Sequence, residues 1–276
     1  MFRAKPATFS YYLLIHGLAL LALSPTFWSW PAFTICLVLY LLTGLGITLG
    51  YHRLLAHSSY NATPWMMKTL TLLGALAGQG GPIFWVSLHR RHHCFSDQEL
   101  DPHNSRLGFL WSHVWWTLDV DNDLSVQDRI IRDLQSDPFL SYVEKWFLAF
   151  LVSSALVIYF TGFLIGGYDL AVSFLVWGVG LRMACVLHFT WITNSVCHKF
   201  GSRRYDTNDS STNCWWASLL TLGEGWHNNH HAFPSSARHG FTWYEIDISW
   251  YVLLLLSKIG WVSGLRCKPK LLEDSV

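Results

Sequence analysis

Four apolar runs, set in two closely spaced pairs, constrain what this chain can become more than any other feature. Tyr11–Phe27 and Ala32–Tyr51 meet at the short turn Ser24–Pro31, and Trp146–Ile165 and Leu170–Ile192 at the glycine-rich turn Gly166–Asp169. About 20 apolar residues cross a bilayer core, so each pair reads as a helical hairpin through a membrane. Composition agrees, with 13% charged residues against about 25% in a soluble domain. A signal peptide is not expected, because the first run lacks a small-residue cleavage site and flows into the second. A formal net charge of +1 gives no nucleic-acid partner. With no internal repeat and no linker, one domain over 1–276 is expected. Its fold is an all-α integral membrane protein: four transmembrane helices in two hairpins (11–27, 32–51, 146–165, 170–192), interfacial helices, and a cytoplasmic helical cap from 52–145 and 193–276.

Basic residues set the orientation. Of the 19 Lys and Arg, only Arg182 lies inside a run, and neither short turn holds any. The positive-inside rule then places the N-terminal tail, the central loop and the C-terminal region in the cytoplasm. Trp65–Leu88 is interrupted by Lys68, Gly74, Gly78 and Gly80-Gly81-Pro82, and Ile246–Val262 carries Asp247 and Lys258. Both read as helices lying in the interface under the cap. Arg182 either snorkels or pairs near the interface, or serves a polar site. The six cysteines show no CxxC spacing and read as scattered reduced thiols.

Eight histidines fall into three clusters, all beside the cytoplasmic ends of the runs or in cytoplasmic segments. They are HRLLAH (His52, His57), HRRHH (His89, His92, His93) and HNNHH (His227, His230, His231). NSVCH adds Asn194 and His198. In HxxHH, positions i, i+3 and i+4 share one helical face, so three imidazoles can enter one site. Asn194 and His198 are i, i+4 and also share a face. HRLLAH is i, i+5, off-phase for one ideal helix, and suits a helix that ends and turns just after the second run. Ten ligands exceed the four that zinc takes or the six of an octahedral metal, which points to two metals in the cap. His16 reads as a helix–helix hydrogen-bonder. His103, His113, His188 and His239 either orient ligands or pack at the surface.

The order of these boxes, within GLGITLGYHRLLAH, GQGGPIFWVSLHRRHH, DPHNSRLGFLWSHVWW and GEGWHNNHHAFPSSARHG, resembles the membrane-bound fatty acyl desaturases of the Δ9 branch, from about Tyr40 to Trp250. The resemblance implies two iron ions held by His52, His57, His89, His92, His93, His198, His227, His230 and His231, with Asn194 acting through a water. It implies a kinked acyl tunnel lined near the metals by Gln79, Trp85, Thr190 and Trp191 and closed at its far end by Tyr40 and Gly44. Where animal acyl-CoA enzymes carry an Arg-Asp pair before the second box, this chain has Ser87-Leu88. The carrier therefore stays open between CoA and a membrane lipid, with Asn104 and Arg106 available for a headgroup or for cap structure.

The implied reaction is O2-dependent insertion of a cis double bond, Δ9 by resemblance, into a long-chain acyl group on CoA or a glycerolipid. O2 is the co-substrate and is reduced to water. The active site would face the cytoplasm from a bacterial or cyanobacterial, endoplasmic-reticulum or plastid membrane. No HPGG haem signature is present, so a separate ferredoxin or cytochrome b5 is implied as electron donor. Arg90, Arg91, Lys199, Arg203, Arg204 and Arg238 lie near the boxes and form either a docking patch for such an acidic partner or contacts to anionic membrane lipids. A membrane hydroxylase or ketolase is the competing enzyme reading. A metal transporter is the competing class, disfavoured because transporters place ligands at the bilayer midplane.

Overall fold

The computed structural model describes residues 5–119 and 128–267 and is mostly helical. Proline opens helix after helix in its first turn, where its fixed φ suits the helix and its missing N–H is no loss. This holds for α1 (Pro6–Leu21), α2 (Trp30–Ala56), α3 (Pro64–Ala75), α4 (Pro82–Phe95) and α7 (Pro138–Lys145). Ser29 and Asp137 cap α2 and α7 by accepting from backbone N–H groups of the first turn. Between α4 and α7 lie α5 (Trp111–Trp115, continued by Trp116–Leu118) and α6 (Asp128–Gln135). The run Phe147–His198 follows. It breaks at Gly166 and Gly167, where φ reaches +73° at Gly167, leaving α8 (147–165) and α9 (168–198). The chain closes with α10 (Trp215–Leu220), α11 (His227–Ala232) and α12 (Ile248–Lys258). A two-residue antiparallel pair, Asn61–Ala62 with Val262–Ser263, staples the last segment to the loop after α2.

Trp30–Ala56 and Phe147–His198 are long and apolar enough to cross a membrane. Large apolar side chains on α1 and α8 point outward: Leu13 is 66% exposed, Val157 64% and Leu164 84%. Such a contiguous apolar exterior marks a surface that needs a non-aqueous or protein neighbour. Inside, Ile15, Ala32, Phe174, Met183 and Leu187 join α1, α2 and α9 in one core. A second core of Ile47, Leu55, Val86, Ile131 and Leu140 binds α4, α6 and α7 to the end of α2.

Several expectations need correction. The first helix occupies 6–21, not 11–27, because Pro6 starts it and a 3-10 turn at Pro25–Phe27 follows it. Trp65–Leu88 is two helices, α3 and α4, divided where Gly78 and Gly80 take φ of +78° and +115°. HRLLAH does not follow a helix end. From Gly46 to Ala56 α2 widens into a π-helix, in which bonds close from i to i+5. The His57 N–H donates to the His52 carbonyl at 3.2 Å, and the widened turn brings i and i+5 into phase, with ring centroids 4.9 Å apart.

Arg182 is 2% exposed and donates to the carbonyls of Gly178 and Leu76. It holds the chain between α3 and α4 rather than a polar site. His16 accepts no acid partner either; its Nδ1 lies 2.7 Å from the Tyr12 carbonyl and its Nε2 3.0 Å from His188. Close packing of α2 on α3 depends on Gly46, where an added Cβ would lie 2.2 Å from the Gly74 nitrogen. Gly46→Val is expected to cost about 3 kcal/mol through overpacking against backbone. The check is thermal unfolding in detergent, where Tm should fall.

Candidate metal centre

The nine box histidines converge into two nests. His52, His57, His89, His93 and His230 form one, and His92, His198, His227 and His231 the other, with ligand atoms within 4.8 Å of one another in each. The widened end of α2 supplies His52 and His57. The i, i+3, i+4 face of α4 divides its three imidazoles, sending His89 and His93 to the first nest and His92 to the second. α11 divides its own the same way, with His230 in the first and His227 and His231 in the second. In the first nest the Nε2 atoms of His57 and His89 lie 2.7 Å apart, those of His52 and His230 3.0 Å, and those of His93 and His230 2.9 Å.

Carboxylates stand behind the rings. His52 Nδ1 lies 2.6 Å from Glu224, His92 Nδ1 3.0 Å from Asp101, His198 Nδ1 3.2 Å from Asp97 and His231 Nδ1 2.6 Å from Asp209. An Nδ1–H donating backward leaves the Nε2 lone pair facing inward. His92 and His231 are both held this way, yet their Nε2 atoms are 3.3 Å apart. Two acceptors at that distance repel unless a cation lies between them. Burial, reinforced by neighbouring imidazoles, pushes His89, His92, His93, His227 and His230 well below the ordinary histidine range. Burial thus disfavours a proton as that cation, and the clustered rings are arranged as ligands that could hold a metal ion. The donor set fits one: neutral imidazoles suit iron, zinc and copper alike.

Three of the four carboxylates are held below the ordinary range. Burial pushes Asp97 and Asp209 up, but hydrogen bonds from His198, Ser105 and Ser210 to the first, and from His231 and Ser211 to the second, hold both below the usual range. Burial likewise opposes ionisation of Glu224, and its close neighbours His52, Arg53 and His239 more than offset it. Asp101 alone is raised, by burial. Arg53 is fully buried between Glu224 at 3.2 Å and Asp247 at 3.0 Å. His239 lies 3.4 Å from Glu224, and His103 lies 3.7 Å from Asp101. His113 and His188 lie away from the nests, 3.0 Å from each other.

Two cavities meet at the nests. Cavity 1, about 390 Å³, runs past Tyr11, Gln79, Trp85, His89, Thr190, Trp191 and Asn194. Cavity 2, about 60 Å³, passes Trp85, His89, His92, Thr190, Asn194 and His227 and continues to Tyr40, Gly44 and Leu222. Trp85, His89, Thr190 and Asn194 belong to both. Gln79 clamps this junction: its amide donates to Thr190 at 2.7 Å and to the Val186 carbonyl at 3.2 Å, and its oxygen accepts from Trp85 Nε1 at 3.0 Å. The Tyr40 hydroxyl donates to the Leu220 carbonyl. Asn104 and Arg106 line neither cavity. Asn104 caps a turn, accepting from the Arg106 N–H and donating to the Gln98 carbonyl, and Arg106 is exposed.

Most of the expected basic patch is spent on the protein itself. Arg90 donates to the carbonyls of Leu55 and Ile130 and pairs with Asp133. Arg91 donates to Leu100, Arg203 to Thr207 and Asp209, Arg238 to Gly240, and Arg204 pairs with Glu245 at 2.9 Å. Lys199 is exposed, lying over the Phe200 ring. Sequence reading missed the four carboxylates and Arg53. Their signal was acids within a few residues of the boxes, as in Glu224 before His227 and Asp97 and Asp101 after His93.

A buried cage of imidazoles, oriented by acids and opening onto a long apolar cavity, defines a helical metalloprotein that acts on extended apolar molecules. The chain belongs to the fatty acid desaturase family, whose pattern it matches over residues 28–259. It is 44% identical to the sn-1 stearoyl-lipid 9-desaturase of Anabaena variabilis, covering 94% of this chain and 93% of that one. It is 42% identical to the protein of the same description from Synechocystis sp. (94% and 80%). Delta-9 acyl-lipid desaturase 1 of Arabidopsis thaliana is 41% identical (92% and 81%).

Asp209→Ala removes the acceptor that orients His231 and is expected to weaken metal retention about 10–100-fold. Bound metal after dialysis against graded chelator measures this.

Proposed function

We propose that this protein is an O2-dependent acyl-lipid desaturase that places a cis double bond at Δ9 of a saturated long-chain acyl group. The observation that carries this reading is the shared wall: His89, a member of the first nest, lines both cavities, so a chain threaded from one to the other passes directly beside the metal centre. Two irons would be held by the nine box histidines, with Asn194 at the shared wall completing the set. When bound, they supply the O2 activation that an unactivated methylene demands.

The chain's own residues do the rest. The Gln79 clamp fixes Trp85 and Thr190 at the junction, so which carbons stand beside the metals is a matter of positioning. Tyr40 and Gly44 bound the far end, where the Gly44 Cβ position lies 3.0 Å from Leu222. A membrane lipid is favoured over CoA as carrier. Ser87 is buried and donates its hydroxyl to the Phe84 carbonyl, leaving nothing there to grip a polar headgroup. The whole chain acts as one domain with α1, α2, α8 and α9 spanning the membrane and the nests on the cytoplasmic side, where the basic residues gather. Electrons come from a separate ferredoxin or cytochrome b5.

Expression in a desaturase-deficient host, with lipids resolved by headgroup and double-bond position, tests the reading. Glycerolipids two hydrogens lighter, unsaturated at Δ9, are expected, and His92→Ala should abolish them. A product heavier by one oxygen would instead identify a hydroxylase. Gly44→Phe should fill the far end of cavity 2 and shift the product profile toward shorter acyl chains, read by gas chromatography of total lipid.

A further inference from the structure

Cavity 1 has walls that positioning at the junction does not require. Ala7, Thr8, Tyr11 and Tyr12 of α1 form one side, and Phe147, Leu148 and Leu151 of α8 the other. Ala7 and Leu148 also lie on the outer surface, Leu148 at 69% exposure. A side chain that lines a cavity and faces outward marks an opening. α1 packs on the Leu175–Leu181 stretch of α9, and Ile158 of α8 reaches Gly178 of the same stretch.

The surface around the opening is lipid-like in its demands. Below Leu148, Val152 and Leu156 continue an exposed apolar stripe at helical spacing, 53% and 52% exposed. At its other edge stand Lys5, Lys145 over the Trp146 ring, and Tyr142, which is 55% exposed. Cations and amphipathic aromatics of this kind collect where headgroups meet acyl chains.

We propose that this opening is a lateral entrance, through which the acyl chain of an intact membrane glycerolipid slides between α1 and α8 while its headgroup stays in the interface. The proposal rests on the acyl-lipid reading above and adds the route. A chain taken this way leaves one apolar surrounding for another and never meets water, whereas extraction through the cap would expose every methylene. Volume fits the use, since cavity 1 lies within the range of about 300–1,000 Å³ typical of ligand sites.

The test uses full-length protein in phosphatidylcholine vesicles containing a phosphatidylcholine with a diazirine near the ester end of its sn-1 chain. After irradiation, peptide mass spectrometry should find label on α1 between Ala7 and Tyr12 and on α8 between Phe147 and Leu151. Label confined to cap segments would overturn the proposal. The double variant Ala7→Trp, Leu148→Trp should lower glycerolipid turnover at least tenfold with metal content unchanged, while Leu164→Trp, on the far end of α8, should not. Unchanged turnover in the double variant would also overturn it, and if that variant loses its metal the wild-type labelling decides. Label at the opening from a protein that desaturates no lipid would refute the acyl-lipid reading and leave the entrance standing.

Discussion

Everything in the centre depends on a carboxylate behind an imidazole. A histidine ring can offer either nitrogen, and nothing in HxxHH decides which. The backward bonds to Glu224, Asp101, Asp97 and Asp209 decide it for His52, His92, His198 and His231. The cost is three buried acids and one half-buried, Asp209, tolerated because each gathers donors or cations. Arg53, fully enclosed between Glu224 and Asp247, is the largest such investment. Metal affinity, ring orientation and the stability of the surrounding fold are thus one network, and removing any carboxylate leaves buried partners uncompensated.

The helices serve this network by departing from regularity. Two glycine-divided breaks and the widened end of α2 set the geometry. The break at Gly78–Gly80 aims Gln79 at α9, and Arg182 secures it by binding the Leu76 carbonyl. The π-helical end of α2 turns His52 and His57 to one side. π-segments of this sort recur at functional sites because they trade backbone regularity for side-chain placement.

How much of this could be read from the residues follows from the range of the forces involved. The glycine break between α8 and α9 was legible, since Gly166-Gly167 interrupts an otherwise uniform apolar run. The shared face of each HxxHH was legible too, being a property of one helix turn. What escaped was non-local. Asp209 meets His231 across 22 positions, and His52 meets Glu224 from the opposite end of the chain. The spacing in HRLLAH suggested a helix end because the ideal period is 3.6, and only the tertiary demand for two ligands stretches it. The arginines looked free for a partner because sequence shows their charge but not the carbonyls of Leu55, Ile130 or Leu100 that consume their donors.

Gln79 gives the junction a character of its own. Both its amide hydrogens are engaged, by Thr190 and Val186, and its oxygen is taken by Trp85. An ordered water needs two to four polar partners to stay in a cavity, and Gln79 has little left to lend one. The corner where the two cavities meet is therefore held by polar parts whose donors are already spent on one another. On the proposed function, selection there would be for curvature: a chain would be accepted by how well it bends, with no chemical group on it to be read.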